Sequence, residues 1–269
     1  MRRAWVLAGV IGLGLLAQGA RADFAAGVWA YERGDYRAAV AEWSSLAESG
    51  DAEGQFFLGL MYATGQGVPQ DFAEAARLYR LAAEQGEASA QFNLGLFYAN
   101  GEGVPQDYAE AARLYRLAAE QGDAGAQLNL ANMYYIGRGV PQDYSEAARY
   151  YRLSAVQGEA KAQFVLGVMY AYGQGMLRDY AEAARLYRLA AGQGLADAQA
   201  NLAVAYWHGR GVLQDPIAAH MWANLSGANG NDRAPSAREA IAATLTPADI
   251  SEAQRRAREC LASNYTRCD

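Results

Sequence analysis

The heptapeptide GEGVPQD, residues 101–107, returns along the chain at one fixed interval. GQGVPQD ends at Asp71, GEGVPQD at Asp107 and GRGVPQD at Asp143. The looser GQGMLRD and GRGVLQD end at Asp179 and Asp215, so each aspartate follows the last by 36 residues. Asp35 keeps the phase behind a shorter turn. Self-similarity at such a period constrains the fold more than composition can. It marks a linear array of supersecondary units, each too small to bury its apolar face except against its neighbours.

The unit 123–158 splits into two helical patterns. The first runs roughly from Ala124 to Tyr135, with Ala126, Leu130, Met133, Tyr134 and Gly137 on one face. The second opens at Asp143, a good N-cap, with Glu146 placed as in a capping box. Its apolar face carries Ala147, Tyr150, Tyr151, Ser154 and Ala155, and Gly158 closes it. Small residues such as Ala111, Ala112, Ala118 and Ala119 let neighbouring helices approach, while Tyr98 and Tyr115 fill the larger gaps. A glycine-rich loop before a helix also invites a phosphate-binding reading. The residues oppose it: there is no P-loop lysine and no third glycine of a dinucleotide fingerprint. Pro105 lacks an N–H, and Asp107 puts a negative charge where the phosphate would sit.

Ala90, Leu94, Gly95, Tyr98, Gly101, Gly103, Val104, Asp107, Ala111, Tyr115, Ala118, Ala119, Gln121 and Gly122 together carry a resemblance. The pattern resembles the Sel1-like repeat, a branch of the tetratricopeptide superfamily. The resemblance implies an all-α fold: a right-handed superhelical α-solenoid of antiparallel helix pairs, with helical caps at both ends. It divides the chain into repeats at 51–86, 87–122, 123–158, 159–194 and 195–230. The last departs from the pattern at Pro216, His220, Trp222 and Asn224, as suits a terminal repeat. Residues 23–50 read as an opening, tetratricopeptide-like helix pair and 231–269 as a closing cap. In that cap Ala234 opens a short helix, and Thr246-Pro-Ala-Asp249 supplies an N-cap, a first-turn proline and an acid. Trp29 and Trp43 at one end, and Trp207 and Trp222 at the other, are expected to seal the core.

Residues 1–22 read as a Sec-type signal peptide: Arg2 and Arg3, an apolar run from Ala4 to Ala17, and an Ala20-Arg-Ala22 cleavage site. The run is too short to span a membrane, so no stable insertion is expected after cleavage. The expected location is periplasmic or secreted. Loss of Arg2, Arg3 and Arg21 takes the net charge from −6 to −9, which argues against nucleic acid as a partner. Cys260 and Cys268 are the only cysteines, and export favours a disulfide between them.

The repeats can be compared with one another. In each first helix the Ala, Leu and Tyr positions barely change, whereas the opposite face varies. On that face we place Phe57, Leu60, Asn93, Leu96, Asn100, Asn129, Asn132, Val165, Tyr172, Asn201 and His208. Their spacings of three, four and seven put each set on one side of its helix. First helices line the concave surface in solenoids of this type, so a protein or peptide partner is the expected ligand. The repeated Glu110, Arg113 and Arg116, and the cluster Arg255, Arg256 and Arg258, read as solvated helix faces.

The chain offers little for catalysis. His208 and His220 are its only histidines and have no evident third ligand, so neither a metal nor another cofactor is expected. Some cysteine-rich relatives implied by the resemblance act on β-lactams or cell wall, which makes a cell-wall-active enzyme the alternative. Lys161 is the only lysine and Gly158 stands three residues before it, so neither S-x-x-K nor K-T-G exists. The expectation is therefore a non-catalytic interaction scaffold of the bacterial envelope. The resemblance implies signalling regulation, envelope or exopolysaccharide assembly, or host contact as its setting.

Overall fold

A computed structural model describes residues 18–268, with side chains from residue 23. Residues 1–17 of the expected signal peptide lie outside the described residues, and the expected junction after Ala22 falls within the first helix. Among the described residues there are fourteen α-helices and no strand. None is long and apolar enough to cross a membrane. The chain divides into two compact units, one running to Ala90 and taking in Glu102–Val104, the other comprising Gln91–Gly101 and Pro105 onward.

The first unit holds α1 (Gln18–Glu32), α2 (Tyr36–Glu48), α3 (Ala52–Thr64) and α4 (Phe72–Glu84), each packed on the next. Trp43, Leu46, Met61 and Leu78 are buried at its centre. Trp43 seals this end as expected, but Trp29 does not. Trp29 is 60% exposed and lies 4.2 Å under the Arg33 guanidinium, because its position on α1 faces away from α2.

The second unit begins within α5 (Ala88–Asn100) and continues through α6 (Tyr108–Glu120), α7 (Ala124–Ile136), α8 (Tyr144–Val156), α9 (Ala160–Tyr172), α10 (Tyr180–Ala191), α11 (Ala196–His208) and α12 (Pro216–Ala228). From α6 to α12 each helix packs on the next. The repeat 123–158 shows how its sequence does this. Asp123 Oδ1 accepts from the Ala126 N–H at 2.6 Å and starts α7. Gly137 ends α7 in the left-handed region, at φ 71°. Gly139, at φ 73°, has no room for a side chain, since a Cβ would fall on the Tyr108 carbonyl at the start of α6. Gln142 folds back to cap the Tyr135 carbonyl at 2.9 Å. Asp143 Oδ1 then accepts from the Ser145 and Glu146 N–H groups at 2.8 and 3.1 Å. The heptapeptide is thus a turn whose helix N-terminus is filled by its own aspartate. The expected capping box is incomplete: the Asp143 N–H bonds to the Tyr134 carbonyl at 3.0 Å, so Glu146 turns to Arg149 at 2.9 Å instead.

Tyr150, Tyr151, Ser154 and Ala155 are buried, and Ser154 satisfies its hydroxyl on the Ala124 carbonyl at 3.0 Å. Burial also pushes the Tyr151 phenol pKa up. A buried glutamine in each repeat ties two junctions at once. Gln127 Nε2 donates to the Ala119 carbonyl of the preceding repeat at 3.1 Å, and its Oε1 accepts from Gln157 Nε2 at 2.8 Å. Gln163 makes the same pair of bonds with Ala155 and Gln193, and Gln199 with Ala191 and Asn229.

Two helices close the second unit, α13 (Ala234–Ala242) and α14 (Pro247–Ala262), both packed on α12. Thr246 and Asp249 form the full capping box of α14. Cys260 and Cys268 are joined by a disulfide. Trp222 is buried as an end seal, whereas Trp207 is only half-buried.

Candidate binding face

Each first helix has three positions fixed by its neighbours. Ala126, Leu130 and Met133 of α7 are buried, and so are Ala162, Leu166 and Met169 of α9 and Ala198, Leu202 and Ala205 of α11. This locks the rotation of the helix and leaves the variable positions on the remaining side. They do not form a uniform surface. In the first unit Leu60 is buried and Phe57 is half-buried, its ring 4.9 Å from Trp43 and 5.2 Å from Phe24. Both residues belong to the packing of that unit.

In the second unit Asn93 is also buried, while Leu96 is half-buried against the core. Val165 and Asn129 are half-buried, and Val165 packs on the same core. Asn201 is half-buried with its amide committed to the Asp197 carbonyl at 2.9 Å. The outer positions are open. Asn100, Asn132 and His208 are exposed, Ile136 is 53% exposed and Tyr172 is 76% exposed. Asn100, Ile136, Tyr172 and His208 occupy one register, the last residue of four successive first helices. Asn132 Oδ1 accepts the Tyr151 hydroxyl at 2.6 Å, which fixes that amide from below. At the far end Asn201 and Val204 line a cavity whose other wall is α13.

Other groups resolve differently. Arg113 pairs with Glu110 at 2.6 Å on the surface, as the pattern predicts. Arg116 does not: it donates to the Tyr134 hydroxyl of the next repeat at 3.0 Å, and Arg152 and Arg188 do the same to Tyr170 and Tyr206. That junction was missed because an arginine one turn beyond an ion pair reads as solvated surface; the tyrosine eighteen residues on was the available signal. Arg255 and Arg256 are held by Glu252 at 2.7 Å each. His208 is exposed at the end of α11, whereas His220 is buried in α12. Burial, with the charge of Arg238 adding to it, lowers the His220 pKa. Among the described residues no group of three or more His, Cys, Asp or Glu is placed to hold a metal ion.

The Sel1 repeat family matches residues 52–87, 88–123, 124–159, 160–195 and 196–231. A Sel1 repeat protein from Oxalobacter formigenes is 31% identical, with a TM-score of 0.77 over 88% of this chain and 99% of that one. A protective antigen present in uropathogenic Escherichia coli strains, displaying an SLR fold, is 35% identical with a TM-score of 0.79. That match covers 89% of this chain but 53% of the antigen, so the chain spans about half the antigen's length. No curated protein matches the chain. Five successive repeat matches and helix pairs superimposable on both structures make the chain a member of the Sel1-repeat proteins, an all-α family of solenoid class.

Proposed function

We propose that this protein is a non-catalytic interaction scaffold of the bacterial envelope, binding a protein or peptide partner through the variable face of its first helices. Sel1-repeat proteins are generally interaction scaffolds and typically non-catalytic. The observation that carries the reading here is the outer row. Ile136 and Tyr172 are mostly exposed at equivalent positions of adjacent repeats, where the scaffold requires no apolar group. Exposed aromatic and aliphatic side chains beside amides are what an extended or helical partner uses as anchors. The domain division given above and export with cleavage after Ala22 belong to the same proposal. The disulfide fits an oxidising compartment.

A photo-crosslinking residue at Tyr172 tests the face. It is expected to trap a discrete partner in producing cells, while the same group at exposed Arg185 of α10 traps none. Equal trapping at both sites would remove the reading. The joint change Asn129→Ala, Asn132→Ala and Tyr172→Ala is expected to abolish capture while keeping helical circular dichroism. For export, mass spectrometry of the secreted or periplasmic chain should give Asp23 as its first residue.

A further inference from the structure

The last first helix, α11, faces something the earlier ones do not. Where a further full repeat would pack, the short α13 rests on α12, and a cavity of about 740 Å³ opens between α11 and α13. This lies within the range of about 300–1,000 Å³ common to ligand pockets. Phe164, Val204, Trp207 and Ile241 supply its apolar floor, and Ala237 of α13 lines the opposite wall. Asp197, Asn201, Asn231, Asp232 and Arg233 also line it.

These polar groups differ once their internal bonds are assigned. Asn231 donates to Asp197 Oδ1 at 2.9 Å and accepts the Arg233 N–H at 3.0 Å, so both ends of its amide are engaged. The Asn201 amide nitrogen is engaged with the Asp197 carbonyl. The second oxygen of Asp197, Asn201 Oδ1 and both oxygens of Asp232 remain as acceptors. Against these two carboxylates stands a single cation, Arg233. Neither the Asp232 carboxylate nor the Arg233 guanidinium has a partner among the described residues. The cavity is therefore apolar and aromatic within and carries a surplus of negative charge, in a chain that is itself acidic.

We infer that this cavity receives an apolar side chain from a peptide segment that carries Lys or Arg beside it. The apolar group lies on Trp207 and Phe164, and the cation bonds to Asp197 and Asp232. Charge-assisted bonds of this kind fix the register of the segment, and the acidic surroundings speed its encounter. The inference rests on the interaction reading above and narrows it to one partner chemistry.

The probe is a display library of peptides of about eight residues, capped at both ends and screened against the full chain. The enriched set is expected to place Lys or Arg next to Leu, Phe or Trp. For one enriched peptide, joint Asp197→Asn and Asp232→Asn is expected to weaken binding about tenfold or more, the loss of roughly one charge-assisted contact. Ala237→Trp, made from an exposed position of α13, fills the cavity and is expected to abolish binding with helicity unchanged. Arg185→Ala, on the exposed side of α10, is expected to leave peptide affinity intact. Absence of enrichment, enrichment of acidic or uncharged peptides, or an affinity indifferent to Ala237→Trp overturns the inference. Failure of crosslinking at Tyr172 with peptide binding retained removes only the wider face.

Discussion

Gln127 shows why one polar residue can matter more than its hydropathy implies. It is 3% exposed, yet both ends of its amide are bonded, to the Ala119 carbonyl and to Gln157. Gln127→Met keeps the volume but removes both side-chain bonds, while the Ala119 carbonyl keeps the Gly122 N–H at 3.1 Å. A loss of about 1–3 kcal/mol in urea unfolding, the net worth of two hydrogen bonds, is the expected result. The same logic with a charge applies to His220, whose Nδ1 is buried without a hydrogen-bond partner. Its folded-state pKa lies below the unfolded value, so the unfolded chain takes up the proton first as pH falls. The neutral ring's full stability holds above the ordinary value of 6.5 and declines below it. His220→Leu should flatten the dependence of unfolding midpoint on pH below about 6.5; an unchanged slope would exclude the histidine as its source.

At the scale of the element, the turn and the caps decide where each helix begins and ends. Asp143→Ala removes the acceptor for two N–H groups and should cost about 1 kcal/mol in thermal unfolding. Two glycines separate strain from collision. Gly158 has φ 98° and open space around it, so Gly158→Ala carries only the left-handed penalty of about 1–2 kcal/mol. Gly139→Ala meets the Tyr108 carbonyl as well and should lower the midpoint further. Several of these ends were legible in the sequence because their signals are local: Asp143, Gly158 and Thr246 mark helix ends within a few residues, whereas Gly137, read there as part of the first helix's apolar face, is the left-handed residue that ends it. The variable face was legible only in outline. Helical spacing gives the side of a helix but not the height of its neighbours, so Leu60 and Asn93 fall below the surface while Tyr172 stands above it. Arg116 was misread for a related reason: its partner Tyr134 lies in the adjoining helix, and single-helix periodicity classes the arginine as solvated. The cavity beside α11 depends on where the short α13 settles, which no motif specifies.

For the molecule as a whole, stability is expected to accumulate from neighbour contacts rather than from one centre. The cap then carries a particular burden, because α12 packs not on another helix pair of the array but on α13 and α14. The Cys260–Cys268 bridge anchors the chain just past α14, and its reduction should lower stability by roughly 2–3 kcal/mol at most in the chain-entropy picture. Calorimetry with and without reductant measures this. The glutamine ties have an evolutionary consequence. Each binds a carbonyl eight residues upstream and accepts an amide thirty residues downstream, and the same groups recur in successive repeats. Excision of residues 123–158 would bring Glu159 directly after Gly122 and set Gln163 eight residues beyond Ala119, where Gln127 had been. The junction would heal without a new contact having to be invented. Duplication is equally permitted, so array length is open to recombination in whole-repeat steps, and a lineage can lengthen or shorten its row of first helices without redesigning either end.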